Sequence, residues 1–308
     1  MILSLSLISC CYLSAEVPAR QISLLDSLES QGDEYFFSFP IDLDIADEEL
    51  YIVDQKTNII FVFDPQTLSF TRKFGQTGTE PGMLNRPLSV NEDGWGNIAI
   101  SDFNNDRLQF LSPYGDYIDE IELIYPWKTC FYDQQLYIDV LPGSNQAGIY
   151  SITNSNISLE VDLNKYFTNK HFGSILDKYY SYCVTDWGYV LSFSGRDEIT
   201  FFNISGKPKR TKVDKLPLKY KNTLYGKPLP YQEGFLILAS SNDHDAADST
   251  QTEISYYNII GQYDKKGNLL NVILLPDKVW LTDSWALYEN QVFLYDSMDL
   301  IIYKFSLN

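Results

Sequence analysis

The chain has 308 residues, with 23 Lys and Arg against 41 Asp and Glu and a formal net charge of −18. So acidic an envelope repels phosphate backbones, and no basic stripe with interleaved aromatics offsets it, which argues against nucleic-acid binding. Tyr, Phe and Trp number 23, 18 and 5, helix-period apolar stripes are absent, and only Phe172 to Tyr180 suggests a short turn of helix; the chain reads as all-β.

In chain order, Leu3 to Ile8 is an apolar stretch too short to span a bilayer, and Leu7-Ile-Ser-Cys10 resembles a bacterial lipobox. Residues 1–19 are therefore expected to be a signal and tether, with lipid attached at Cys10. This predicts an exported bacterial lipoprotein, at the outer membrane, periplasm or cell surface, that meets membrane through its lipid anchor only. The next β-like run, Gln21 to Leu28, belongs to none of the repeats that follow.

A four-run phrase then occurs twice. Residues 41–75 carry Leu50-Tyr-Ile-Val-Asp54, Ile59-Ile-Phe-Val-Phe-Asp64 and Arg72-Lys-Phe-Gly75; residues 86–121 carry Gly96-Asn-Ile-Ala-Ile-Ser-Asp102, Arg107-Leu-Gln-Phe-Leu111 and Tyr117-Ile-Asp-Glu-Ile121. Four short strands in a unit of about 40 residues mark a β-propeller blade. With the strand ending at Asp54 as a ruler, Leu136 to Val140, Tyr189 to Phe193, Phe235 to Ala239 and Val292 to Asp296 occupy the same slot. Six slots predict a six-bladed β-propeller occupying residues 20–308 as a single domain. Only three residues follow Phe305, so the sixth blade lacks its outermost strand. Gln21 to Leu28 is predicted to supply it, closing the ring and covering an open sheet edge.

Between the first two copies lies Gly75-Gln-Thr-Gly-Thr-Glu-Pro-Gly82, followed by Met83-Leu-Asn-Arg-Pro87. With Gly96-Asn97 opening one strand and Asp102-Phe-Asn-Asn-Asp-Arg107 joining two others, this stretch resembles an NHL repeat. The match covers roughly residues 32–121, beyond which the chain is similar to bacterial six-bladed TolB-like or NHL-like propeller lipoproteins. The resemblance implies a scaffold and not a reaction. Independently of it, Gly75, Gly78 and Gly82 are expected to permit positive φ as the chain crosses between blades, and Asp54, Asp102 and Asp296 to accept backbone N–H groups at strand ends.

Cys130 and Cys183 fall at equivalent places on the inner strands of blades three and four. Their Cβ vectors then point the same way round the ring and do not converge, so buried free thiols are expected. Lys207-Pro-Lys-Arg-Thr-Lys212, the one basic cluster, reads as a solvated turn of blade four, with at most a minor role in meeting an anionic group.

Catalytic signatures are missing: His171 and His244 are not at metal-ligand spacing, and there is no nucleophile elbow, Walker loop or dinucleotide fingerprint. Asp243, Asp245 and Asp248 offer oxygens to Ca²⁺ but lack the Gly and the bidentate Glu of an EF-hand, so a polar loop is expected. The remaining candidate is the axial funnel. Aligning on Asp47, Asp93, Asp133, Asp186 and Glu289 brings Asp42, Leu88, Lys128, Ser181, Pro228 and Ser284 to the starts of successive inner strands, beside Asp44 and Asp283. Trp127, Tyr220, Tyr225, Tyr231 and Trp280 lie beside these starts as candidate contact aromatics.

The sequence thus supports a non-enzymatic binding or scaffolding propeller of the cell envelope, monomeric and needing no cofactor, that presents rigid loops and a funnel to a protein, peptide or glycan partner. The alternative, by resemblance to gluconolactonase-like propellers, is a Ca²⁺-dependent lactonase with an axial metal. Asp42 and Asp283 would be its acidic ligands, without the Glu and Asn that should join them.

Overall fold

The protein is described from a computed structural model over residues 17–31, 35–141, 146–153, 156–169, 179–193, 198–209, 213–216, 222–242, 257–275, 281–297 and 299–308. Runs such as Leu50 to Val53 are apolar at every position because their strands are buried on both faces. Leu50 and Ile52 share a cluster with Phe293 and Tyr295 of blade six, while Tyr51 and Val53 share one with Val90 and Ile100 of blade two. Alternation along a strand thus serves two neighbours instead of core and solvent. Comparable clusters join blades two to three, three through five, and five to six.

Six sheets result, each of four antiparallel strands, with one further strand added to blade five. Their inner strands, Pro40–Ala46, Pro87–Glu92, Pro126–Tyr132, Tyr180–Thr185, Asn222–Tyr231 and Leu281–Tyr288, each contact the next, and the last contacts the first. The fold is a six-bladed β-propeller, as the repeats predicted. Three inner strands begin at Pro, where the missing N–H takes no ladder bond from the sheet.

Ring closure also follows the prediction. Ser23–Leu28 pairs antiparallel with Ile301–Ser306, from Ser23 opposite Ser306 to Leu28 opposite Ile302, and supplies the outermost strand of blade six. Ile22 and Leu28 are buried by this docking. The short strand before it was not foreseen: Ala19–Gln21 runs parallel to Leu269–Leu274 and becomes a fifth strand on blade five. The Val272 N–H donates to the Pro18 carbonyl at 2.9 Å and the Ile22 N–H to the Leu274 carbonyl at 3.3 Å. One segment therefore fastens two blades.

The strand-end aspartates behave as expected. Asp54 Oδ2 accepts the Ser38 and Phe39 N–H groups at 2.6 and 2.9 Å, and its Oδ1 those of Lys56 and Thr57 at 3.1 and 2.9 Å. Asp102 accepts the Asn85 N–H at 2.7 Å and holds Asn105, Gln109 and the buried Arg107, whose guanidinium also ties down the Glu80 and Met83 carbonyls. Asp296 accepts the Asp299 N–H at 3.1 Å. Gly75 has φ of 97°, and a Cβ there would lie 2.7 Å from the Asn58 carbonyl. Gly78 corrects the expectation: its φ is not positive, and its need is for space, because a Cβ would run into the Met83 sulfur.

Cys130 and Cys183 sit two residues before the ends of their inner strands, buried and free, and burial pushes the Cys130 thiol up to about 11. Among the described residues an α-helix spans Leu163–Asn169; the short turn predicted at Phe172 to Tyr180 falls mostly on residues 170–178, outside the described residues, and Tyr180 opens an inner strand. Pro208–Lys209, read as turn, is the short outer strand of blade four and pairs with Phe201 and Phe202. Cys10, His171, His244, Asp243, Asp245, Asp248, Tyr220 and Trp280 lie outside the described residues.

Candidate functional site at the axial mouth

Five of the six inner strands carry a β-bulge where they approach the axis: between Pro40 and Asp42, Pro87 and Ser89, Pro126 and Thr129, Tyr225 and Pro228, and Leu281 and Trp285. Each bulge re-aims a side chain and strips a backbone group of its ladder partner. The freed carbonyls are satisfied by neighbouring blades. Ser101 Oγ donates to the Trp127 carbonyl at 2.6 Å, Ser192 Oγ to that of Gly226 at 2.7 Å, and the buried Trp285 Nε1 to that of Lys227 at 2.6 Å. Blade four has no shift, and its Ser181 sits in a regular ladder.

The re-aimed side chains meet across the ring. Lys128 Nζ of blade three donates to Asp42 Oδ1 of blade one at 3.1 Å, to the Ile41 carbonyl at 3.0 Å and to the Leu88 carbonyl of blade two at 3.4 Å. Lys227 of blade five reaches Asp44 Oδ2 at 2.6 Å, and Asn91 Nδ2 donates to the same oxygen at 2.9 Å. Asp42 has no exposed surface, and Lys128 and Lys227 are 5% and 4% exposed. Burial opposes the Lys227 ammonium, but Asp44 and then Asp42 outweigh it, and its pKa is raised. Ser89 and Thr129 hydrogen-bond through their hydroxyls beneath this layer. The axis is thus plugged by two ion pairs that tie alternate blades together.

Behind the plug, Asp139 Oδ1 accepts the Lys128 N–H at 2.6 Å, within the blade-three bulge. Its other oxygen and the Tyr180 hydroxyl are both buried; they interact electrostatically without a hydrogen bond of good geometry. Burial pushes the Asp139 carboxyl up to about 7, against the lowering effect of the Lys128 N–H, Tyr180 and the Lys128 charge.

Around the mouth lies a run of rings. Phe103 and Tyr125 are 5.8 Å apart between centroids, Phe103 and Trp127 6.0 Å, and Trp127 and Tyr179 5.8 Å, with the exposed Arg86 guanidinium 5.4 Å above Phe103. Tyr125 is 45% exposed and the other three are half-buried. This series crosses blades two to four on one face.

Of the residues singled out from sequence, Asp42, Asp44 and Lys128 converge, and Trp127 stands at the rim. Ser181 and Ser284 are buried beside the axis, Ser181 accepting Ser192 Oγ on its carbonyl at 3.4 Å. Asp283 lies in the inner strand of blade six, its side chain outside the described residues. Two placements are corrected. Tyr231 ends its strand instead of starting it, and its hydroxyl reaches Asn290 at 3.4 Å on the opposite face; Tyr225 is buried in the core of blades three to five. Pro228 is replaced by Lys227. The blade-five hairpin turns at Gln232, φ 51°, as blades one, three and six turn at Asp47, Asp133 and Glu289. Five residues back from Gln232 is Lys227; the acidic residue of that turn is Glu233, one place later, and counting from it shifts the register by one to Pro228.

The donor set does not suit a divalent cation. Asp42 and Asp44 each face an ammonium group, and among the described residues no group of three His, Cys, Asp or Glu side chains is placed to hold a metal.

No family model matches the chain. Among solved structures it is similar to a member of the DUF4221 family from Bacteroides vulgatus, with a TM-score of 0.61 at 10% identity over 93% of this chain and 97% of that one. It is also similar to a predicted exported protein from Bacteroides fragilis, at 0.58 and 12% over 94% and 98%. Virginiamycin B lyase from Staphylococcus aureus gives 0.55 and 12% over 94% and 100%. At such identities the likeness carries the six-bladed fold and nothing of activity.

Proposed function

We propose that this protein is a non-enzymatic binding or scaffolding propeller of the bacterial cell envelope, of the NHL-like or TolB-like kind, that presents the axial mouth to an envelope protein, peptide or glycan. The observation that carries this reading is the pairing of Asp42 and Asp44, the axial carboxylates among the described residues, with lysines, which makes this part of the axis a structural plug and leaves the aromatic rim as the accessible feature. Rings held by neighbouring blades lose little freedom when a partner docks. Export is supported by the Cys10 lipobox, by the exported relative in fold, and by the lack, among the described residues, of a helix long and apolar enough to cross a membrane. Membrane contact through lipid at Cys10 alone, and a monomeric propeller over residues 20–308, belong to the same proposal.

The test is binding of purified envelope glycans and solubilised envelope proteins by the wild type, Trp127→Ala and Arg86→Ala. The rim variants should bind about tenfold or more weakly with their thermal melting unchanged. Equal binding by wild type and both variants would remove the mouth from the function.

A further inference from the structure

A second concave feature lies away from the axis. A cleft of about 870 Å³ opens between the outer strand of blade three, Asn156–Asp162, the helix Leu163–Asn169 and the outer half of blade four, Glu198–Phe202 with Pro208–Lys209. Its size is that of a small-ligand site. Gly206, at φ 68°, holds its floor together: a Cβ there would run into the Glu160 carbonyl, so the blade-four turn lies directly against blade three.

The charges in this cleft are unequally satisfied. Glu198 Oε1 accepts the Tyr166 hydroxyl at 3.0 Å and Thr200 Oγ1 at 2.9 Å, Glu160 Oε1 accepts Ser151 Oγ at 2.7 Å, and Asp162 Oδ1 accepts the Lys165 N–H at 3.1 Å. Lys165 on the helix wall and Lys207 and Lys209 on the hairpin wall are exposed, and among the described residues none of their ammonium groups has a partner. The three amines match Glu160, Asp162 and Glu198 in number, but these carboxylates already accept hydrogen bonds inside the protein, and at separations of roughly 10 Å the distant negative charge of the chain is screened from the exposed amines. Between the walls lie the exposed Leu159 and Pro208, backed by the buried rings of Tyr166 and Phe202.

We propose that this cleft binds an acidic oligosaccharide of the uronic acid type. Amines on both walls call for negative groups spaced along the ligand, which suits a chain of acids better than a single anion. Carboxylates with lone pairs to spare accept sugar hydroxyls, and the apolar floor packs against the C–H faces of pyranose rings. The site is independent of the axial mouth, and it gives the basic run beginning at Lys207 a role.

The test is calorimetric titration of the whole protein with trigalacturonate, with maltotriose and tri-glutamate as the uncharged and purely acidic arms. Trigalacturonate should bind, at least about tenfold more tightly than either control, and more weakly at high salt. Lys207→Ala/Lys209→Ala should weaken it about tenfold or more, as should Lys165→Gln from the opposite wall, while Trp127→Ala changes nothing. All substituted lysines are exposed, and thermal melts verify the fold of each variant. Absence of heat, or equal affinity before and after both sets of lysine substitutions, overturns the proposal. Equal affinity for tri-glutamate overturns it in favour of an acidic peptide.

Discussion

Replacing Lys128 by Met removes the cation that neutralises Asp42 at the axis. The Lys128 and Asp42 side chains are 7% and 0% exposed, so the abandoned carboxylate cannot turn to water. Its remaining hydrogen bond, from the Val90 N–H at 3.4 Å, is too long to compensate, and Lys227, which also attracts it, is held by Asp44. Breaking a buried pair by removing one partner costs about 3–5 kcal/mol, and the Ile41 and Leu88 carbonyls lose a donor as well. Asp42→Asn in the Lys128→Met background removes the stranded charge and should recover about half of the loss, with a coupling energy of about 2 kcal/mol or more. The contrasting case is Arg72–Glu49 on the blade surface, with side chains 19% and 26% exposed, whose disruption should cost about 1 kcal/mol or less. Urea unfolding of the wild type, Lys128→Met, Asp42→Asn, the double variant and an Arg72 variant, followed by tryptophan fluorescence with equal m-values across the set, gives these numbers. A loss below about 1 kcal/mol for Lys128→Met, or no coupling to Asp42, would refute the plug.

Two further predictions concern the ring and its buried acid. Deleting residues 18–21 removes a strand whose side chains are exposed and should lower the melting temperature little. Extending the deletion to Leu28 uncovers Ile302 and Phe305 and forfeits two buried aliphatic side chains at about 1.5–3 kcal/mol each; equal melting of the two truncations would contradict closure by Ser23–Leu28. Asp139 has its carboxyl raised from 3.8 to about 7 by burial, so its favourable contribution is complete below pH 4 and lost as pH rises through 7. Asp139→Asn keeps an acceptor for the Lys128 N–H and should gain on the wild type between pH 4 and 8, by up to about 4 kcal/mol. Parallel stability profiles would show that the carboxyl is not so perturbed.

The blades were legible because each strand repeats a local pattern: an apolar run closed by an Asp whose oxygens gather the next turn's N–H groups. Asp54 does this for Lys56 and Thr57, while Asp102 in the same slot holds the Asn85 N–H and the side chains of Asn105, Arg107 and Gln109. The closing strand was legible because Gln21 to Leu28 is a β-like run that belongs to none of the repeats, and it pairs with Ile301–Ser306. Ala19–Gln21 was not, because three exposed residues carry no apolar signal and are held by backbone bonds alone. At the axis Asp42 and Lys128 were found by counting back from an acidic turn, and the same count failed where Gln232 makes that turn. That Lys128 and Lys227 pair with carboxylates from another blade is set by bulges, which leave no mark in composition. The rim cleft was invisible because its walls come from separate blades, although the basic run beginning at Lys207 was the signal that pointed to it.

The central claim is that the axis is a structural plug and not a reaction centre. Its most direct test is turnover of a lactone and phosphotriester panel by the wild type and by Asp42→Ala, each with and without chelator. The account predicts no chelator-sensitive turnover by either protein. Turnover by the wild type that both chelator and Asp42→Ala abolish would contradict it.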